Sequence, residues 1–221
     1  LSEGEYTART FLWMVLGLMV TFGVAVLCWL TNVTIYALIL IHAVQVIVLV
    51  ATLILSFLMV RRIERMSVAT ARTMFLVFSA LFGFTMSIYL LIYDLASLVF
   101  AFLATALYFG VLAVYGRLTG RDLSSVRPIL FSGLLFLVIF GVISLFIPGL
   151  SVFDSIVCLV GIAVFLGYTA YDTQRIRAFY HYYAGYPDML EKASIFAALQ
   201  LYLDFVNLFL YLLRFLGRRR D

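Results

Sequence analysis

Ionisable side chains are rare in this chain, so each one inside an apolar stretch is a candidate for chemistry. Only 12% of its 221 residues are Asp, Glu, Lys or Arg. Four ionisable groups fall within long apolar runs: His42, Asp172, Asp204 and Arg214. Burying such a group in lipid is costly, which makes each a functional candidate by default. Asp172 closes one run and Asp204 sits in the middle of the next, so on consecutive antiparallel helices they could face each other. Two carboxylates in one apolar site cannot both ionise cheaply; they titrate as a unit, and such a pair senses pH. The alternative is local: Asp172 caps its helix or pairs with Arg175, and Asp204 bonds Gln200 or Tyr211.

Two further groups bear on that pair. Arg61 and Arg62 end the second apolar run. Basic residues commonly anchor span ends to headgroups; the functional alternative is that one of them pairs with Asp172 as a latch. Gln200, Asp204, Asn207 and Tyr211 recur at intervals of four, three and four. That spacing puts all four on one helical face, which cannot be shown to lipid and should be enclosed by other helices. His42 stands alone. A zinc site needs three or four clustered ligands, so it reads as a packing residue.

Several chemistries are excluded. Lys192 is the only lysine and is expected in a loop, so no Schiff-base lysine lies in a span. His42 and His181 fall in different layers, too few for a zinc hydrolase. No nucleophile elbow, Walker A loop or dinucleotide glycine fingerprint occurs. Two membrane aspartates would also suit an aspartyl intramembrane protease, but Asp204 lies in Leu201-Tyr202-Leu203-Asp204-Phe205-Val206-Asn207, without G-x-G-D. Cys28 and Cys158 both sit in apolar runs, which argues against a disulfide framework or a thiolate metal site.

The elements that must position these residues are membrane spans. Hydrophobic residues make up 66% of the chain, and mean hydropathy is +1.15. A soluble domain runs at roughly 45–50% apolar and about 25% charged. A soluble globule, a disordered chain and a nucleic-acid-binding domain are thereby set aside, and the pI of about 9.1 reflects charge at a membrane edge. No charge occurs between Thr10 and Arg61. That stretch is too long for one span and breaks at Thr31-Asn32-Val33-Thr34. Seven spans are expected, at about 11–30, 35–60, 73–93, 95–116, 129–147, 152–173 and 193–216. Leu1 to Thr10 lacks the order of a signal peptide. Ala106 with Gly110, and Ala80 with Gly83, are small residues that let helices approach closely.

The basic residues alternate between turns. Arg61, Arg62, Arg65 and Arg72 mark one loop, Arg117, Arg121 and Arg127 the next, and Arg175, Arg177 and Lys192 a third. The intervening turns carry none. Positive loops stay in the cytoplasm, so the N-terminus is expected there. Seven spans would then put Arg218-Arg219-Arg220 outside, against the rule. Either the last segment spans nonetheless or it re-enters; a central, fully spanning seventh helix is favoured.

Longer motifs carry a resemblance. Gly167-Tyr168-Thr169-Ala170-Tyr171-Asp172-Thr173-Gln174-Arg175-Ile176 precedes a span reading Leu201-Tyr202-Leu203-Asp204-Phe205-Val206-Asn207-Leu208-Phe209, then Leu212-Leu213-Arg214-Phe215. With Tyr115-Gly116, Thr119, Arg121-Asp122-Leu123-Ser124 and Phe78-Ser79-Ala80-Leu81-Phe82-Gly83-Phe84-Thr85, this resembles the Bax inhibitor-1 family, in particular its bacterial members. The resemblance covers nearly the whole chain. It implies an all-α fold of seven transmembrane helices with the last one central, in a bacterial inner membrane. It also implies a pH-sensitive calcium leak gated by an aspartate pair, at Asp172 and Asp204. The latch arginine falls on Arg61 or Arg62, and Gln45 is the nearest polar side chain in span two, which lacks an acid.

The expectation is therefore a single transmembrane domain over residues 1–221 that passes Ca²⁺ down its gradient without enzymatic activity or a resident cofactor. Asp172 and Asp204 would sense pH and bind Ca²⁺ transiently. Gln200, Asn207 and Tyr211 would line the path. Lipid and Ca²⁺ are the expected partners, with no nucleic acid. The alternative is a non-conducting regulator that binds a membrane protease or a cell-death or stress protein; it would tolerate apolar residues at Gln200 and Asn207.

Overall fold

The computed structural model describes residues 2–40, 44–62, 65–144 and 146–219. Its helices are α1 (Glu3–Leu30), α2 (Val33–Leu40), α3 (Val44–Arg62), α4 (Val68–Ile92), α5 (Leu95–Leu118), α6 (Arg127–Ser144), α7 (Asp154–Tyr182) and α8 (Pro187–Leu216). No β-strand occurs among the described residues. Among the described residues six helices are long and apolar enough to cross a membrane: α1, α4, α5, α6 with the 3₁₀ turn that leads into it, α7 and α8. The chain is an all-α polytopic membrane protein.

Local signals set the helix ends. Ser2 and Glu5 form a capping box: Glu5 N–H donates to Ser2 Oγ (3.2 Å) and Ser2 N–H to Glu5 Oε2 (2.7 Å), which satisfies two otherwise orphaned donors. Ser67 caps α4 by accepting from Thr70 N–H at 3.1 Å. Pro187 opens α8, where its missing N–H costs nothing. The turn before it holds Gly185 at φ +95°, backbone that an L side chain rarely adopts.

The helices form two compact units. The first comprises Leu1–Asp94, Ile176–Tyr202 and Arg219–Asp221. Here α1 lies against α4 through glycines. A Cβ on Gly17 would meet Phe75 Cζ at 2.5 Å, and one on Gly83 would meet the Thr21 carbonyl oxygen at 2.5 Å. Hydroxyls then fasten helix to helix. Thr10 Oγ1 bonds Ser194 Oγ at 3.0 Å and Thr34 Oγ1 bonds Ser87 Oγ at 2.5 Å. Thr21 Oγ1 donates to Ser79 O (2.9 Å) and takes the Tyr202 hydroxyl at 2.6 Å. The edges of Phe75, Phe78 and Phe82 enclose the Tyr202 ring. At one end, Glu191 pairs with Arg9 (3.2 Å) and with Arg72.

The second unit comprises Leu95–Arg175 and Leu203–Arg218. Gly167 lets α7 approach α6, since a Cβ there would meet Leu130 Cδ2 at 2.5 Å. Gly161 accepts the Tyr211 ring of α8, and Gly116 of α5 lies against the Ala170 carbonyl of α7. Phe205 packs between Phe102 (5.6 Å) and Phe109 (5.4 Å). Arg214 pairs with Asp154 at 3.3 Å, in the exposed margin of this unit.

Burial grades the helices. In α8, 67% of the most apolar stretch is buried, against 56% in α7 and 11% in α6. A helix with that little lipid-facing surface can carry the polar residues read on its face.

Within the run 35–60, residues 41–43, and with them His42, lie outside the described residues. Three expectations are corrected. The supposed loop 175–192 shrinks to the turn at 183–186, because α7 continues to Tyr182 and α8 starts at Pro187. Lys192 is therefore helical and buried, and its Nζ donates to Met66 O at 3.2 Å. Ala106 and Gly110 are exposed, and nothing lies within 4 Å of a Cβ placed on Gly110. The close approach of α5 is made by Gly116 instead.

Candidate functional site

Asp172 and Asp204 lie in the same unit, and both are buried, at 7% and 4% exposure. Their carboxyl groups lie close enough to interact directly. Two carboxylate oxygens are both acceptors, so a hydrogen bond between them requires a shared proton. Asp204 Oδ2 is buried without a hydrogen-bond partner. Asp172 Oδ1 has a cation nearby: Arg175 Nη1, from the next turn of α7, stands 3.5 Å away. The local pairing considered for Asp172 and the pairing between aspartates thus coexist. Asp204 faces Asp172.

The helices that carry the pair are fixed closely beside it. Gly116 against the Ala170 carbonyl holds α5 two residues from Asp172. Thr169 Oγ1 and Thr173 Oγ1 donate to Phe165 O and Thr169 O, each at 2.7 Å, which satisfies both hydroxyls within α7. Gln174 clamps the turn after α5. Its Oε1 accepts from Leu123 N–H (2.9 Å) and its Nε2 donates to Arg121 O (2.8 Å). Asp122 caps the 3₁₀ turn there by accepting from Ser124 N–H at 2.9 Å and Ser124 Oγ at 2.7 Å. Those two bonds hold its carboxyl below the usual carboxylate range.

The other expected residues have distinct surroundings. Asn207 Nδ2 donates to Leu203 O at 2.8 Å, within its own helix. Tyr211 stacks on Phe165 at 5.9 Å, and the Arg214 guanidinium lies 6.0 Å from its ring centre. Gln200 is half-buried and belongs to the other unit. Arg61 and Arg62 belong to that unit too; both are exposed, and the Arg61 guanidinium lies over the Phe57 ring at 4.8 Å.

Two residues near the pair were not singled out from the sequence. Tyr168 interacts electrostatically with both carboxyls, and Arg127, at the start of α6, with Asp172 and Tyr168. A signal existed for Tyr168, one turn before Asp172 on the same face. None existed for Arg127, whose approach depends on how α6 packs on α7.

The pair offers hard oxygen atoms to a cation once its proton is lost. Ca²⁺ takes six to eight such ligands, and among the described residues no cluster of three or more His, Cys, Asp or Glu is present.

Comparison with known proteins agrees with the motifs. Residues 4–221 match the family described as Inhibitor of apoptosis-promoting Bax1. A Rickettsia prowazekii protein is 38% identical over 98% of this chain and 91% of its own length. The Escherichia coli inner membrane protein YbhL is 35% identical over 97% of this chain and 92% of its own length. A Deinococcus radiodurans protein is 36% identical over 98% of this chain and 91% of its own length.

Proposed function

Since the chain belongs to the Bax inhibitor-1 family, we propose that it is a pH-sensitive Ca²⁺ leak of the bacterial inner membrane, gated by Asp172 and Asp204. The observation that carries this reading is the contact of two buried carboxyl groups on α7 and α8, one of them with an unpartnered oxygen. In the protonated state the pair is a hydrogen bond that ties α7 to α8. When the proton leaves, two like charges stand a few Å apart. At an effective dielectric constant of about 20 and about 4 Å their repulsion is ~4 kcal/mol. Moving a two-state gate from 1:99 to 99:1 takes about 5.5 kcal/mol, so this repulsion supplies most of a full switch. The separated carboxylates then become transient ligands for Ca²⁺, with water completing its shell. Two carboxylates alone bind too weakly to store the ion, which suits passage. An arginine at the end of α3 stabilises the closed form, and Gln200, Asn207 and Tyr211 supply polar atoms along α8.

The N-terminus is assigned to the cytoplasm by the alternation of basic turns. The printed name of the E. coli relative, an inner membrane protein, supports the same membrane here. The chain is read as a non-enzyme without a resident cofactor, since the G-x-G-D context of an aspartyl membrane protease is missing around Asp204.

The test is Ca²⁺ flux into liposomes containing only the purified protein, at about pH 6 and about pH 8, because a shared carboxyl proton makes the gate depend on pH. Asp172→Asn and Asp204→Asn are measured alongside. Flux should rise with pH, and both variants should lose that dependence. Variants that keep the wild-type pH response would refute the gate. A protein that conducts at neither pH would refute the leak and favour the regulator that binds a membrane protease or a stress protein.

A further inference from the structure

The cytoplasmic end of α3 and the start of α4 enclose a groove of about 510 Å³, lined by Leu58, Arg62, Arg65, Met66, Thr70 and Met74. All six residues belong to the first unit. The spacing explains the groove: Leu58 and Arg62 share one face of α3, Thr70 and Met74 share one face of α4, and Met66 sits in the turn before it. The result is a two-part lining. Arg62 and Arg65 are exposed at the mouth, and Leu58, Met66 and Met74 are half-buried along the wall. The volume falls in the range of small-molecule sites.

Among the described residues no carboxylate balances the charge at the mouth; Glu64, between the two arginines, lies outside those residues. Behind the wall, the Lys192 ammonium donates to the Met66 carbonyl oxygen at 3.2 Å. Two guanidiniums over one concavity match a phosphate geometrically, because each offers a planar fork of donors. The apolar wall continues on α3 into the side chain of Ile54, exposed toward the lipid. A ligand with a phosphate at one end and hydrocarbon at the other fits both parts.

We propose that this groove is a binding site for one anionic phospholipid, with the headgroup phosphate on Arg62 and Arg65 and the upper acyl chain along Leu58, Met66 and Met74. This inference does not draw on the leak; by assigning Arg62 to the lipid it leaves Arg61 for the latch. It also separates neighbouring arginines: Arg62 faces the groove, whereas Arg61 lies over Phe57 outside its lining.

That separation supplies the control. The purified protein is titrated with phosphatidylglycerol in detergent, and bound lipid is counted by native mass spectrometry. Wild type, Arg61→Gln, Arg62→Gln, Arg65→Gln and the Arg62→Gln/Arg65→Gln double variant are compared. A basic residue near an anionic lipid contributes about a fivefold gain in binding. Each groove variant should therefore weaken the tightest site about fivefold and the double variant about 25-fold, while Arg61→Gln leaves it unchanged. Phosphatidylcholine, of the same chain length but zwitterionic, should bind far more weakly. Glycerophosphate and inorganic phosphate should not compete at equal concentration, because they lack the chain. Competition by inorganic phosphate would make this a soluble-phosphate site and overturn the lipid assignment. Equal loss in Arg61→Gln and Arg62→Gln would mean an unstructured basic belt, and unchanged binding in the double variant would place the lipid elsewhere. Thermal melts of each variant without lipid separate lost binding from lost fold; a double variant that melts early is replaced by the Arg62→Lys/Arg65→Lys pair, which keeps charge, loses the fork geometry and should still weaken the site.

Discussion

Two glycines on one helix should answer the same substitution with opposite signs. Gly110 and Gly116 both lie in α5. A Cβ on Gly110 meets nothing within 4 Å, whereas one on Gly116 strikes the Ala170 backbone: it overlaps the carbonyl oxygen and stands 2.9 Å from the carbonyl carbon and 3.0 Å from Cα. Replacing Gly by Ala within a helix gains about 0.8–1 kcal/mol in propensity. Gly110→Ala keeps that gain. Gly116→Ala must also push α5 and α7 apart by several tenths of an ångström against backbone that cannot rotate away. Overpacking of this kind costs roughly 1–3 kcal/mol. The net change is then roughly neutral to 2 kcal/mol destabilising. At about 2–4 °C per kcal/mol for a chain of this size, thermal unfolding in detergent should put Gly110→Ala a few degrees above Gly116→Ala. A Gly116→Ala protein at least as stable as Gly110→Ala would refute the packing argument. A functional readout follows from the position. Ala170 is two residues from Asp172, so the wedge at Gly116 should alter the pH response of Ca²⁺ flux, and Gly110→Ala should not.

Two other perturbations test the surroundings. Thr21→Val leaves the buried Tyr202 hydroxyl without its partner and should cost about 1–2 kcal/mol; on that background Tyr202→Phe should cost much less than it does alone, as a double-mutant cycle on thermal stability would show. Asp122, whose carboxyl is held low by its bonds to Ser124, stabilises its turn above the unfolded carboxylate range, and this contribution is lost as pH falls through its lower folded value. Amide protection factors across 121–126, taken against the intrinsic exchange rate at each pH, should therefore fall in acid for the wild type, and Asp122→Ala should show low protection at every pH.

Much of the site was legible because ionisable groups are so scarce. Asp172 and Asp204 stood out as acids in apolar runs, and their partnership needed only antiparallel neighbours. The close approach of α5 was misplaced, because Ala106-xxx-Gly110 has the right composition but the wrong face. Which side of a uniformly apolar helix turns inward is set by its neighbours, here by Ala170 on α7. Lys192 was read as loop because 175–192 is polar and rich in tyrosine. Yet Ile176 and Leu190 are buried, and helix continues on both sides of a turn that needs only Gly185 and Pro187. Arg127 left no trace in the sequence, since its nearness to Asp172 is a product of packing alone.

The hydroxyl fasteners of the first unit have a consequence for how the protein is made. Thr10 and Thr21 belong to α1, but their partners Ser194 and Tyr202 belong to α8. About a hundred residues separate the end of α4 from those partners, which is roughly 5–20 s of synthesis. Throughout that interval α1 and α4 can dock through Gly17 and Gly83, while Thr10 has only Tyr6 O of its own helix to bond, at 3.0 Å, and Thr21 only Ser79 O of α4. The unit therefore waits, half assembled and with a polar seam open, for the helix that carries Asp204. A ribosome stalled before α8 would leave that seam facing lipid, a mark by which membrane quality control could tell an unfinished chain from a finished one.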